Sequence, residues 1–198
     1  MKRIHSKEDI VQAGLDIMLS RGFNATGVEA ILKEAKVPKG SFYNFFSSKE
    51  DFALAIIDKY VADRGELFQR IFKEESLPPL ERIKKSFTTL IAVFDSYHCS
   101  KGCLIGNLSL EMSDQFENVR QRLELSFRNW TEVLTRLLLQ SQQEKTIPQD
   151  INAEMLAENL ISSFEGALLR SKVKKSSEPL NNFIYLYFDR FLTQKEEA

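Results

Sequence analysis

Two groups of residues in this sequence have chemistry beyond packing. Cys99 and Cys103 stand close together in the run His98-Cys99-Ser100-Lys101-Gly102-Cys103-Leu104-Ile105-Gly106-Asn107. A thiol at the start of a helix feels the positive end of the helix dipole, and nearby cations add to that field. Both raise the thiolate fraction that a reactive cysteine needs. Cys103 is placed to open a helix, Gly102 leaves room for a reagent, and the basic run 170–175 offers Lys172 as a cation to reach it. Cys99 has the spacing of a resolving thiol for a sulfenic acid formed on Cys103. The competing reading makes Cys103 a small buried hydrophobe, as the adjoining Leu104 and Ile105 invite. His98, Cys99 and Cys103 supply three ligands without the paired spacing of a structural zinc site, so no metal and no cofactor is expected.

The second group lies in Val-Pro-Lys-Gly-Ser-Phe-Tyr-Asn-Phe-Phe-Ser-Ser-Lys-Glu-Asp-Phe, residues 37–52. Lys39, Ser41, Tyr43, Asn44 and Lys49 are hydrogen-bonding groups set among Phe42, Phe45, Phe46 and Phe52. A stretch this aromatic belongs in a core, yet Pro38 and Gly40 open it and its polar residues ask for a polar partner. The first 50 residues carry eight Lys and Arg against six Asp and Glu, a net +2 that offsets −3 in the remainder. That imbalance is mild and needs a motif to give it meaning.

The elements that must position these groups are helices. With 8 Gly and 5 Pro in 198 residues, the turn chemistry of a many-stranded sheet is missing, while Leu, Ile, Lys, Glu and Gln are plentiful. An all-α fold is expected. Ser6 caps a first helix over 6–21, stopped by Gly22. Thr26, with Glu29 three residues on, has the spacing of a capping box for a second helix through Ala35. Pro38 sits in the first turn of a third, with Phe42, Phe45 and Phe46 inward. Ser48 and Asp51 open a long fourth helix over 49–72. Two short helices joined by a tight turn and braced by longer ones make helix-turn-helix geometry. In that geometry the helix from Lys39 can enter a major groove, with the backbone near Gly40 and Ser41 close to phosphates or base edges.

Gly22-Phe23, Thr26, Val28-x-x-Ile31, Val37, Lys39-Gly40-Ser41-Phe42-Tyr43, Phe46 and Ser48-Lys49-Glu50 resemble the N-terminal signature of TetR-type transcriptional regulators. The resemblance spans residues 6–52 and implies a DNA-binding repressor that acts on a double-stranded operator and is not an enzyme. It implies that Thr26 and Tyr43 reach phosphates through their hydroxyls, Lys39 a base edge or phosphate, and Lys49 a phosphate. Singly, Thr26 is also an N-cap, Tyr43 a packing residue and Lys49 a solvated cation. The sequence departs from the pattern at Gly27, at Lys36, where Gly is frequent, and at Asn44, which either reads adenine through its amide or faces solvent.

A break at Glu74-Glu75-Ser76-Leu77-Pro78-Pro79 separates a helix-turn-helix domain, 1–50 with its connecting helix 49–72, from a helical domain, 73–198, which the resemblance implies is the effector-binding and dimerisation domain. Helices are expected over 80–97, 103–112, 118–143, 151–174 and 180–194. The last two are apolar nearly all round, and a chain of this size cannot cover both, so they predict a two-fold homodimer, the alternative being that they form a purely internal core. Such a dimer suits a pseudo-palindromic operator. The segment Gly-Cys-Leu-Ile-Gly-Asn around Cys103 resembles that of a TetR subgroup responsive to electrophiles and oxidants, which implies release by a small-molecule effector or by modification of Cys103. The alternative function is a thiol-dependent oxidoreductase using Cys99 and Cys103, for which Cys-x-x-Cys, a phosphate-binding glycine loop and a supply of histidines are all missing. No apolar run is long enough to span a bilayer and the N-terminus lacks an apolar signal region, so a cytoplasmic protein is expected.

Overall fold

The structure is a computed structural model that describes residues 6–193. Helix α1 (Lys7–Arg21) opens on a complete capping box: the Asp9 N–H donates to the Ser6 hydroxyl and the Ser6 N–H to the Asp9 carboxylate. It stops at Gly22, whose φ of 80° only glycine adopts freely. Helix α2 (Val28–Ala35) ends at Lys36 in the left-handed conformation, φ 56°. The Lys36 N–H returns to Leu32 and Lys33, and the Val37 N–H reaches the Leu32 carbonyl at 2.9 Å, closing a Schellman-type turn. The glycine common at position 36 of the signature is thereby explained: the turn needs positive φ, and this chain meets the need with lysine.

Helix α3 (Lys39–Phe45) follows directly, with Pro38 as its N-cap, one position earlier than expected. Helix α4 (Lys49–Phe72) starts as the sequence implies, the Ser48 hydroxyl accepting the Asp51 N–H at 3.0 Å. Phe42, Phe46 and Phe52 are fully buried and meet in tilted and edge-on pairs with centroids 4.8–5.3 Å apart. Burying each contributes about 1.5–3 kcal/mol, enough to fix so short a helix on the one that follows. Gly14 lets α1 approach this cluster, because a Cβ there would overlap the Phe52 ring and Ile56. Phe45, expected in the core, is 38% exposed. Phe42 and Phe46, four residues apart, take the inward face of a helix with only two turns.

Beyond these lie α5 (Pro79–Ser96), α6 (Leu104–Met112), α7 (Glu117–Gln143), α8 (Ala153–Lys174), α9 (Glu178–Leu186) and a π-helical turn, Tyr187–Phe191. The last helix expected over 180–194 thus begins earlier and changes winding at Tyr187, and residue 194 lies outside the described residues. The chain forms two compact units that cut across the 1–50 and 73–198 division. One comprises the chain up to Arg64 together with Cys103–Ser126; the other comprises Gly65–Gly102 and the chain from Phe127 on. The first unit therefore takes in α6 and the start of α7. Arg122 pairs with Asp58 at 3.1 Å, and Phe116 sets an edge against Phe23.

The second unit is built on an aromatic cluster. Phe87 packs on Trp130, Phe164, Phe183 and Phe188 at centroid distances of 5.0–6.0 Å. The Tyr187 hydroxyl joins Ser163 at 2.7 Å and donates to Asn159 at 2.5 Å, tying the π-turn to α8.

Candidate nucleic-acid interface and its thiol

The inward lock of Phe42 and Phe46 leaves the other side of α3 to solvent. Tyr43 is 62% exposed, and Asn44 and Gly40 are exposed beside it. Nothing lies within 4 Å of where a Cβ on Gly40 would sit, so the fold itself does not require glycine there. Lys39 and Ser41 lie in the first turn of the same helix.

Two residues expected at phosphates face inward. Thr26 is completely buried and donates its hydroxyl to the Gly22 carbonyl at 2.5 Å, and the N-cap of α2 is Gly27, which has no side chain to cap with. The expected capping box at Thr26 is corrected: its hydroxyl closes the α1–α2 connection, and in this conformation it is turned away from the surface a phosphate would meet. Lys49 is half-buried. Its ammonium donates to the Phe23 carbonyl at 2.5 Å and lies 3.9 Å from the centroid of the Phe23 ring. Burial pushes the Lys49 pKa down and the negative charge of Glu111 pulls it back up. Glu111, in the last turn of α6, accepts the Asn24 N–H at 2.7 Å. Sequence reasoning missed Glu111, since no local pattern ties it to a turn 87 residues earlier.

At the other end of α6, Cys103 is the N-cap, in the position expected for a thiol at a helix start. It is partly exposed, and the Tyr60 hydroxyl of α4 lies 3.9 Å from its sulfur. Tyr60 is buried, and burial, reinforced by Cys103, pushes its pKa far up, so the hydroxyl keeps its proton and is available as a donor. Arg64 lies over the Tyr60 ring, 5.3 Å from its centroid.

Cys99 and Lys172 belong to the second unit. Cys99 is buried beside Asp95, 3.7 Å from a carboxylate oxygen. Burial first and Asp95 next push its thiol up, with Lys175 opposing. That environment is the reverse of the one an activated thiol needs. Lys172 is half-buried near the end of α8. Among the described residues, no three His, Cys, Asp or Glu side chains are gathered as a metal would require. No described helix is long and apolar enough to cross a membrane.

Residues 10–56 match the tetR family of bacterial regulatory proteins, and residues 79–186 match the tetracyclin repressor-like C-terminal domain. The chain belongs to the TetR family. It is 33% identical to the HTH-type transcriptional repressor DhaR of Mycobacterium sp. (strain GP1), over 99% of this chain and 97% of that one. It is 34% identical to the transcriptional regulator AcuR of Cereibacter sphaeroides, over 96% and 87% of the two chains. The crystal structure of the reduced form of E. coli NemR superposes with a TM-score of 0.86 at 27% identity, covering 96% of this chain and 97% of that one. As a TetR-family protein the chain is a helix-turn-helix regulator of transcription, and regulators of this family bind DNA operators as dimers and respond to small-molecule effectors. These matches favour regulation of transcription over thiol-dependent redox catalysis.

Proposed function

We propose that this TetR-family chain is a repressor that binds a pseudo-palindromic operator as a homodimer and lets go when an effector reaches it or when Cys103 is modified. The observation that carries the operator reading is the two-sided character of α3: its inner face is locked by Phe42 and Phe46, while Gly40, Tyr43 and Asn44 remain open to solvent. Tyr43 would donate its hydroxyl to a phosphate, Asn44 would meet a base edge, and Lys39, Gly40 and Ser41 would line the approach in the major groove. Lys49 would join them once its ammonium turns outward.

The dimer reading rests on apolar surface left uncovered in the single chain. On α8, Met155 is 68% and Val173 78% exposed. Eighteen residues make about five turns, so the two share one face, with Leu169, 59% exposed, beside it. Tyr185 and Phe191, 45% and 63% exposed, extend the apolar surface into α9 and the π-turn. A second copy related by a two-fold axis would bury these patches against each other and set two recognition helices on successive half-sites.

The thiol reading rests on the Tyr60–Cys103 contact, which joins the start of α6 to α4. Conjugate addition of the Cys103 thiolate to an α,β-unsaturated carbonyl compound forms a carbon–sulfur bond as the carbon–carbon π bond breaks, the α-carbon then taking a proton from water, and places new bulk against a buried tyrosine of the helix that follows α3. Lys172 is the cation proposed to favour the thiolate. A shift of about 1.4 kcal/mol in favour of a non-binding form weakens operator affinity tenfold.

The test is fluorescence anisotropy with DNA from immediately upstream of the chain's own gene, at two salt concentrations, before and after a stoichiometric electrophile, with Cys103→Ser in parallel. Salt-sensitive, sequence-specific binding that the electrophile abolishes only when Cys103 is present is the expected result. Specific binding that ignores the electrophile would discard the thiol switch and keep the repressor; absence of specific binding would discard the operator assignment.

A further inference from the structure

The turn that joins α1 to α2 carries a charge arrangement that the operator reading does not use. Lys49 has its ammonium on the Phe23 carbonyl and the Phe23 ring, and the carboxylate of Glu111 accepts the N–H of the next residue, Asn24. The carboxylate acts on the ammonium strongly enough to offset part of the cost of burying it. The turn is shaped to admit Glu111: Gly22 has positive φ, and a Cβ on it would overlap the Glu111 carboxylate. An anionic group, a cation and a backbone N–H are thus brought together at one turn of the DNA-binding helices. A DNA phosphate presents the same partners to a lysine: a negative charge with acceptor oxygens.

We propose that Glu111 occupies, for Lys49, the place a DNA phosphate takes in the operator complex, so that a carboxylate from α6 competes with DNA and sets the repressor's affinity. Glu111 is a positioning residue: it acts through Lys49 and need not touch DNA. To reach a phosphate the ammonium must leave the Phe23 carbonyl, the Phe23 ring and the field of Glu111 together. Because Glu111 sits at one end of α6 and Cys103 at the other, movement of α6 would change how firmly Lys49 is held. The proposal rests on the operator reading for its consequence but not for its geometry, and the two are tested separately.

Glu111→Gln is the informative variant, because the amide oxygen still accepts the Asn24 N–H while the charge is removed. In DNA-free protein, acylation of Lys49 by a water-soluble amine reagent, followed by peptide mass spectrometry with exposed Lys33 as the internal reference, reads the latch directly. Lys49 should label more slowly than Lys33 in the parent chain, and severalfold faster in Glu111→Gln. Raising the salt concentration should speed Lys49 labelling in the parent chain itself, a readout that needs no variant to fold. With operator DNA at low salt, Glu111→Gln should bind about two- to fivefold more tightly, the size of effect measured for one partly exposed pair of opposite charges. Its salt dependence should steepen by about one phosphate contact. In the Lys49→Ala background the same substitution should gain nothing. Equal labelling of Lys49 in the parent and Glu111→Gln chains, or Glu111→Gln binding no better to an operator that the parent does bind specifically, overturns the proposal. A chain whose Lys49 is released on losing Glu111 but which binds no operator would sink the operator reading and leave the latch standing.

Discussion

The hydroxyl of Tyr60 and the sulfur of Cys103 stand 3.9 Å apart, so the middle of α4 and the N-cap of α6 meet at a thiol. A donor aimed at sulfur favours the thiolate over the thiol. Tyr60→Phe keeps the ring that packs in the core and removes only that donor, so the protein should stay folded at a cost of about 0.5–1.5 kcal/mol. Alkylation of Cys103 at neutral pH should slow by up to about fivefold, the kinetic equivalent of one ordinary hydrogen bond. Mass-spectrometric timing of iodoacetamide labelling checks this, and an unchanged rate would show that Tyr60 does not support the thiolate.

Cys99 should behave in the opposite way. Burial and Asp95 hold its thiol above the ordinary value, so folding favours the protonated form. Stability from this group is complete below the unfolded-state pKa of about 8.5 and is lost as pH rises through the folded one. The difference in urea midpoint between the parent chain and Cys99→Ala should therefore shrink above about pH 8.5, and Cys99 should resist alkylation at pH 7. Ready labelling of Cys99 at neutral pH would contradict this.

Two glycines make a matched pair. At Gly14 an added methyl meets Phe52 and Ile56, so Gly14→Ala should cost about 1–3 kcal/mol by overpacking. At Gly40 it meets nothing, and Gly40→Ala should leave the thermal midpoint unchanged or raise it, since alanine favours a helix interior by about 0.5–1 kcal/mol. On the proposed operator reading, affinity should nonetheless fall in Gly40→Ala, because the methyl would stand where that reading brings the DNA backbone close. Thermal melts and anisotropy on the same two samples separate the effects; full affinity in Gly40→Ala would remove α3's first turn from the contact surface.

Lys36→Gly should stabilise the protein by up to about 1 kcal/mol, because a left-handed residue at a helix end is cheapest as glycine. Urea unfolding measures it directly. A loss of stability would mean that the lysine side chain is worth more than the strain of its backbone.

Much of this architecture is written locally. Ser6 with Asp9 and Ser48 with Asp51 form the caps their spacing announces, since a cap is decided within four residues. Phe42 and Phe46 are core because a four-residue spacing puts them on one side of α3, and Phe52 because it falls on the apolar side of α4. Thr26 was misread for a physical reason: its hydroxyl had two uses of similar energy, the N–H groups ahead of it and the Gly22 carbonyl behind, and the turn's closure took it. The inward posture of Lys49 and the part played by Glu111 depend on residues far apart in the chain, as does the grouping of 103–126 with the first unit. No periodicity records a contact of that kind. The burial of Cys99 near Asp95 was likewise hidden, because Cys99 lies past the end of α5, in a turn whose positive φ at His98 and Cys99 folds the thiol back toward the Asp95 carboxylate.

The α1–α2 turn is held through its main chain: the Gly22 carbonyl by Thr26, the Phe23 carbonyl by Lys49 and the Asn24 N–H by Glu111. Backbone groups are the same in every sequence, whereas the side chains of Asn24 and Ala25 stand exposed. Substitutions at those two positions can therefore accumulate without disturbing the grip. A DNA-reading module from a different regulator could be grafted onto this α6, provided its turn follows the same path and keeps a glycine where Gly22 now bends, a hydroxyl at Thr26 and an ammonium at Lys49. The joint is standardised hardware, and the text it reads from DNA is interchangeable.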